Sequence, residues 1–487
     1  MKAWRFIKGT VRKYSIFFIL YGNALLIMAA LYVMLAPGLM DSLSPINKES
    51  VLNQISATYF LGTWVFIYPF ILELDVKISK PIKIVYWGTF IKILAIIVME
   101  MLNIFPGYNN FDTDYTYGMR YVDPSLESEI YYPPGTSLYL AFMFLINPGK
   151  STLLFRLVNL AWETGTFLVV FEIARTKRIK KSRRAGNTLL FLTFSATWVF
   201  TNLIHSKFDM FGIFMSMVGV YFVICKKWWL SAPFLVFAGF FKIYSFLWII
   251  GILVVLMKQK DWNSFKHFTL GSILSATLFL ALFTLIEGFA FVENLLTFGW
   301  HFTVWEDLYN LNWSYYLKYL VIPGLNFLPP VLIVAAILWY LYRYQRGITL
   351  QMFANITIIL LLLYPSVNFH YLVWIVPILA LTYQDYKVQF SRATLVYEVI
   401  HVGIDMHSFC WFFLFGLQKY VAVDNPLITY PASYPAWLAI RFITILPFLI
   451  GLLYYMNRDP TALGMTAIQD SSIDSSKQSQ TIKNLDA

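Results

Sequence analysis

"YYPPGTSLYLAFMFLINPG", residues 131–149, is the stretch on which the threading of the whole chain depends. It is apolar and long enough to cross ~30 Å of hydrocarbon at ~1.5 Å per residue. Counted as a crossing, however, it carries the run "RTKRIKKSRR" (175–184), with seven Lys and Arg, to the outer face. That opposes the tendency of cytoplasmic loops to collect Lys and Arg. Read instead as an amphipathic helix on the outer interface, with the true span at about 151–173, it returns the basic run to the cytoplasm. The second reading is adopted here.

The rest of the composition fits a membrane protein. Of 487 residues, 59% are hydrophobic and 19% aromatic, and only 13% are charged, which excludes an ordinary soluble domain. The net charge of +11 does not point to nucleic acid, because it sits beside apolar segments: Lys2, Arg5, Lys8, Arg12 and Lys13, then the run at 175–184. The first apolar segment, from about Tyr14 to Ala36, is too long for the core of a cleaved signal peptide. Cys225 and Cys410 fall in apolar segments and make no metal-ligand pair.

With the N-terminus inside, spans are predicted at about 15–37, 57–75, 84–105, 151–173, 187–204, 210–225, 229–241, 243–257, 264–287, 326–343, 349–367, 371–384, 393–416 and 434–456. The expectation is an all-α polytopic bundle of roughly 14 (12–14) transmembrane helices, with juxtamembrane helices in its extracytoplasmic loops. Residues 1–83 hold two N-terminal helices and 84–384 the core, with outer loops 106–149 and 288–325. Residues 385–456 hold the last helices, and 457–487 read as a disordered cytoplasmic tail.

This threading gathers Asp112, Asp114, Arg120, Asp209, Lys242, His301, Glu306, Asp307 and His370 at the outer face. Carboxylates beside cations there suit a reaction in which a hydroxyl loses a proton while a phosphate leaves. Each residue also has a plainer role available. The Asp112/Asp114 pair could cap a turn, Asp209 could be a helix N-cap, Lys242 could snorkel to the headgroups, and His370 could be an ordinary interfacial histidine. Glu163, Glu287, Asp405 and His407 lie in or beside apolar segments and stay unassigned.

"NNFDTDYTYGMRYV" (109–122) with "EIYYPPGTSLYLAFMF" (129–144) resembles the first lumenal loop of GT-C glycosyltransferases. "GFFKIYSFLWII" (239–250), "WHFTVWEDLYNLNWSYYLKYL" (300–320) and "NFHYLVWIVPILAL" (368–381) follow in that family's order. Within it, the chain is most similar to the catalytic subunit of GPI mannosyltransferase I and its prokaryotic relatives, over roughly residues 84–384. The resemblance implies inverting transfer of a hexosyl residue, mannosyl first, from a polyprenyl-phosphate donor to a lipid, glycan or protein acceptor on the extracytoplasmic face. It implies Asp112 or Asp114 as base and Asp209 as the second acidic position. Lys242 and His370 fall at the donor phosphate, and Arg120, Lys207, Tyr244, His301, Asp307, Asn312 and Tyr371 complete the substrate-binding set. No cofactor is certain, a divalent cation (Mg or Mn) beside Asp114 stays open, and a small membrane subunit could be a partner. The membrane would be the plasma membrane of a prokaryote or the endoplasmic reticulum of a eukaryote. Two helices precede the family's usual first span, and "SKFD" (206–209) replaces the small-residue acidic motif of the eukaryotic enzymes. The competing readings are a multi-pass transporter or flippase, which should carry polar residues at the bilayer midplane, and a polysaccharide polymerase or ligase, which should show more outer arginines.

Overall fold

The computed structural model describes residues 2–15, 81–101, 133–149, 151–176, 192–199, 208–287, 328–363 and 369–382, with a few isolated positions between them. These are helical, and among the described residues there is no strand. The helices are α1 (Lys2–Lys13), α2 (Ile82–Met101), α3 (Pro134–Ile146), α4 (Thr152–Thr176), α5 (Ala196–Val199), α6 (Asp209–Ile224), α7 (Trp228–Phe241), α8 (Tyr244–Lys258), α9 (Trp262–Glu287), α10 (Leu328–Arg343) and α11 (Leu350–Leu363). A 3₁₀ turn, Phe369–Ile375, leads into α12 (Val376–Thr382). Ile82–Met101, Thr152–Thr176 and Trp262–Ile286 are long and apolar enough to cross a membrane. The predicted spans at 15–37, 57–75, 393–416 and 434–456 and the tail at 457–487 lie wholly or mostly outside the described residues, as do the loops at 106–132 and 288–325.

The bundle is organised by contacts that fix direction. Glu100, near the end of α2, takes hydrogen bonds from Arg156 at 2.6 Å and Thr152 at 2.8 Å, both early in α4, so the two helices run antiparallel. Farther along, Lys92 pairs with Glu163 and Thr89 with Thr164. Along α6, Phe211 meets Trp162 at 4.7 Å and Phe214 approaches Gly165, so α6 runs parallel to α4. Backbones come close where glycine permits. A Cβ on Gly219 would lie 2.6 Å from Leu235, and one on Gly212 would lie 2.6 Å from Phe241, so α6 and α7 pack tightly, and Ser231 of α7 donates a 3.0 Å hydrogen bond to the Gly219 carbonyl between them.

The turns after α6 and α8 have one design. Lys226 and Lys260 both take left-handed backbone with φ 56°. The next N–H, of Lys227 or Asp261, reaches back to the carbonyl of Phe222 at 2.9 Å or Leu256 at 3.1 Å. This closes each helix with its orphan carbonyls satisfied. With Arg175 and Arg343, these lysines define one basic end of the bundle. There Lys258 donates to the carbonyls of Leu341, Tyr342 and Gln345 at 2.7–2.8 Å, a cation on the C-terminus of α10. Because a side chain in the left-handed region costs about 1 kcal/mol, Lys226→Gly or Lys260→Gly should each stabilise by a few tenths to about 1 kcal/mol. Thermal unfolding in detergent measures this, and a lowered midpoint in both would contradict the turn geometry.

Three expectations change. First, the faces of α3 differ from those expected. Gly135 and Thr136 at its start sit against the Phe240–Phe241 backbone, while Asn147 at its end exchanges hydrogen bonds with Ser151 before α4. Both ends lie away from the basic end. It is not amphipathic in the expected sense, however. Thr136 and Ser137 are buried and Phe142, Leu145 and Ile146 are exposed, so its outer face is apolar and suits hydrocarbon rather than headgroups. Second, the span at 187–204 is interrupted at Ser195, with α5 a single short turn beyond it. Third, the span at 371–384 is a 3₁₀ turn followed by a short α-helix. Pro377, with no N–H to give, falls in the first turn of α12, where that loss is tolerated.

Candidate functional site

Opposite the basic end, the chain breaks between α7 and α8 at Lys242 and Ile243. Lys242 has extended backbone (φ −147°, ψ 127°), and its N–H still bonds Ala238 carbonyl at 2.7 Å. That kink turns the Lys242 side chain into the bundle, where it is only 3% exposed. Its ammonium lies 3.3 Å from Asp209 Oδ1, and Asp209 is 1% exposed. Three rings surround the cation: Phe208 at 5.0 Å, Tyr371 at 5.2 Å and Trp374 at 5.8 Å. A desolvated ammonium over ring faces gains from their quadrupoles, which offsets part of its lost hydration.

Asp209 is the first residue of α6, where the helix dipole favours a carboxylate. It does not cap the helix: no side-chain cap bond forms at Phe208, the N-cap position. Instead Asp209 Oδ1 accepts a 2.9 Å hydrogen bond from Trp374 Nε1. Asp209 Oδ2 is buried with no hydrogen-bond partner among the described residues, an acceptor held in a low-dielectric setting. The 3.3 Å separation from Lys242 exceeds the ~2.7–2.9 Å of a committed charged hydrogen bond. Carboxylate and ammonium are therefore adjacent without being locked to each other. The plainer roles for both, N-cap and snorkelling lysine, do not fit this burial.

The structure thus brings together Asp209, Lys242 and Tyr371 from the expected set. Tyr244 stands behind them rather than in the site. Its hydroxyl shares a 2.8 Å hydrogen bond with Ser216, which also meets Ser245, and its ring packs on Trp374 at 5.0 Å and on Trp248. Tyr244 supports the wall. The backbone of His370 lies in the 3₁₀ turn beside Tyr371, and its side chain is outside what is described. Asp112, Asp114, Arg120, Lys207, His301, Asp307 and Asn312 lie outside the described residues. Among the described residues no His, Cys, Asp and Glu side chains gather as a metal site. Trp374 was not anticipated, although it stands in the same "NFHYLVWIVPILAL" stretch as His370. Its position at the site depends on the 3₁₀ turn, which periodicity does not reveal.

A second ionic group lies deeper. Lys92 and Glu163 are buried at the middle of α2 and α4 and pair with each other. Glu163, left unassigned in the sequence reading, thus has a cation beside it within the bundle. Arg156 is likewise buried and bound to Glu100.

No protein-family model and no curated protein matches the chain.

Proposed function

We propose that this protein is a membrane-embedded glycosyltransferase that takes a hexosyl residue from a polyprenyl-phosphate donor at the face opposite its basic end. One observation carries the reading. Lys242 and Asp209 meet at the break between two short helices, buried and caged by aromatic rings. α7 and α8, of 14 and 15 residues, rise only ~21–22 Å. With their basic turns at the cytoplasmic surface, Lys242 stops several ångströms short of the other side of a ~30 Å core. A phosphate on a polyprenyl chain reaches that depth more readily than a water-soluble sugar nucleotide does.

In the reaction, the acceptor hydroxyl oxygen forms a bond to the anomeric carbon from the side opposite the phosphate. The carbon–oxygen bond to the lipid phosphate breaks, and its electron pair leaves on that phosphate. The hydroxyl proton passes to a carboxylate, and the anomeric configuration inverts. Lys242 is suited to the developing phosphate charge, since its ammonium is close to Asp209 but not committed to it. Asp209, steadied by Trp374, keeps that ammonium oriented. Asp112 or Asp114 supplies the base.

Incubating the purified protein with polyprenyl-phosphate-mannose, -glucose and -arabinose, and following release of lipid phosphate, tests the reading directly. Asp112→Asn, which keeps shape but removes the proton acceptor, should lower turnover by ~10²-fold or more at unchanged folding. Asp114→Asn should cost less or respond to added divalent ion. The reverse ranking in single-turnover assays would exchange their roles, and full activity in both would leave the pair a turn cap.

A transporter is the second reading, favoured by the Lys92–Glu163 pair. An ionic pair buried midway along two helices is what a proton- or ion-coupled path through the bilayer uses.

A further inference from the structure

α1 carries two stripes side by side. Trp4, Ile7 and Val11 recur at spacings of three and four, so they share one strip of the helix, and all are exposed, Trp4 at 68%. Beside them Arg5, Lys8 and Arg12 form a second exposed strip. None of the three has an acidic partner among the described residues, and α1 itself contains no Asp or Glu. On the remaining side Thr10 and Tyr14 are buried. The helix is thus held by one side, while two adjoining strips, one apolar and one cationic, are exposed with no described residue paired to the cations.

We propose that α1 is a docking helix for anionic phospholipid. It lies in the plane of the membrane surface with Trp4, Ile7 and Val11 entering the acyl boundary and Arg5, Lys8 and Arg12 on the headgroup phosphates. Twelve residues rise ~18 Å, which is too short to cross and long enough to lie along the interface. The sharp border between the strips is the pattern of a headgroup boundary, and an exposed tryptophan belongs at that depth. A protein groove accepting the apolar strip would leave the cations beside it without counter-charge. An anionic lipid surface satisfies both at once. This goes beyond sidedness, because cations alone set orientation whether or not they are helical.

The test uses the full chain with Cys225→Ser and Cys410→Ser, carrying a spin label on Ile7→Cys or Val11→Cys. The protein is reconstituted in vesicles of phosphatidylcholine alone or mixed with phosphatidylglycerol. Relative collision with oxygen and with a water-soluble nickel chelate reports depth. In phosphatidylglycerol vesicles both labels should sit in lipid and retreat towards water as salt is raised. In phosphatidylcholine they should be mostly in water. Each cation near an anionic surface contributes about fivefold, so Arg5→Gln with Lys8→Gln and Arg12→Gln should weaken docking on the order of 10²-fold and return the labels to water. Equal depth in both vesicle types, or in the triple variant, overturns the proposal. So does a label that is immobilised whatever the lipid, which would mark a protein partner.

Discussion

Lys242→Ala is expected to destabilise the protein by about 3–5 kcal/mol, because truncating one member of a buried pair strands the other charge. Asp209 would keep Trp374 at 2.9 Å but lose its only described cation. The double variant Lys242→Ala with Asp209→Asn should recover most of that loss, since no net charge remains buried. Sugar transfer should not recover with it. A charged contact to a leaving phosphate is worth ~1.5–3 kcal/mol, so the refolded double variant should still run about 10- to 10²-fold slow. Thermal unfolding in detergent reads the first effect, and single-turnover transfer at matched folded protein reads the second. Wild-type stability in the single variant would place the pair in water rather than in the bundle. Wild-type transfer in the stable double variant would make Lys242 and Asp209 structural.

The legible part of this fold was the part set by local chemistry. The helix pair 229–241 and 243–257 was placed within about a residue of α7 and α8, because "FFKIY" puts one long cation between two apolar runs and "CKKW" and "KQKDW" mark the other ends. The basic run at 175–184 led to reading α3 as a helix that stays on one side, and its two ends do lie on one side of the bundle. What composition could not show was how far polar groups would be drawn inward. The segment 131–149 read as an amphipathic interfacial helix, yet its Thr136 is buried and donates to the Phe241 carbonyl at 2.9 Å, while Phe142, Leu145 and Ile146 face out. A lone hydroxyl gains more from an orphan carbonyl at a helix end than from a surface position. In the site, Asp209, Lys242 and Tyr371 were named from sequence, whereas Trp374 required the 3₁₀ turn before Pro377 to bring it onto Asp209. Lys92 carried a signal that went unread. It stands at the middle of "IKIVYWGTFIKILAIIVMEM", well inside the terminal Lys83, and a cation in the middle of such a run implies an acidic partner on a neighbouring helix.

That partner is Glu163, and the pair gives the other large expected effect. Glu163→Ala should destabilise by about 3–5 kcal/mol, because Lys92 would be left charged against the ring of Phe167, 5.1 Å from its ammonium. Lys92→Met with Glu163→Leu should come back to within about 1 kcal/mol of the native chain or exceed it, since apolar side chains of similar volume avoid the desolvation of two ions. The double variant also separates the two functional readings. A pair that only joins α2 to α4, assisted by the 3.1 Å contact of Thr89 and Thr164, can be replaced without touching the chemistry proposed for Lys242. The stable double variant should then transfer sugar at the native rate. If Lys92 and Glu163 instead carry a proton or ion through the bilayer, the neutral variant would fold well and lose pH-driven uptake into proteoliposomes. Stability recovered with transfer intact supports the enzyme, and stability recovered with uptake abolished supports the carrier. A double variant as unstable as Glu163→Ala alone would show that the two side chains do not balance each other's charge.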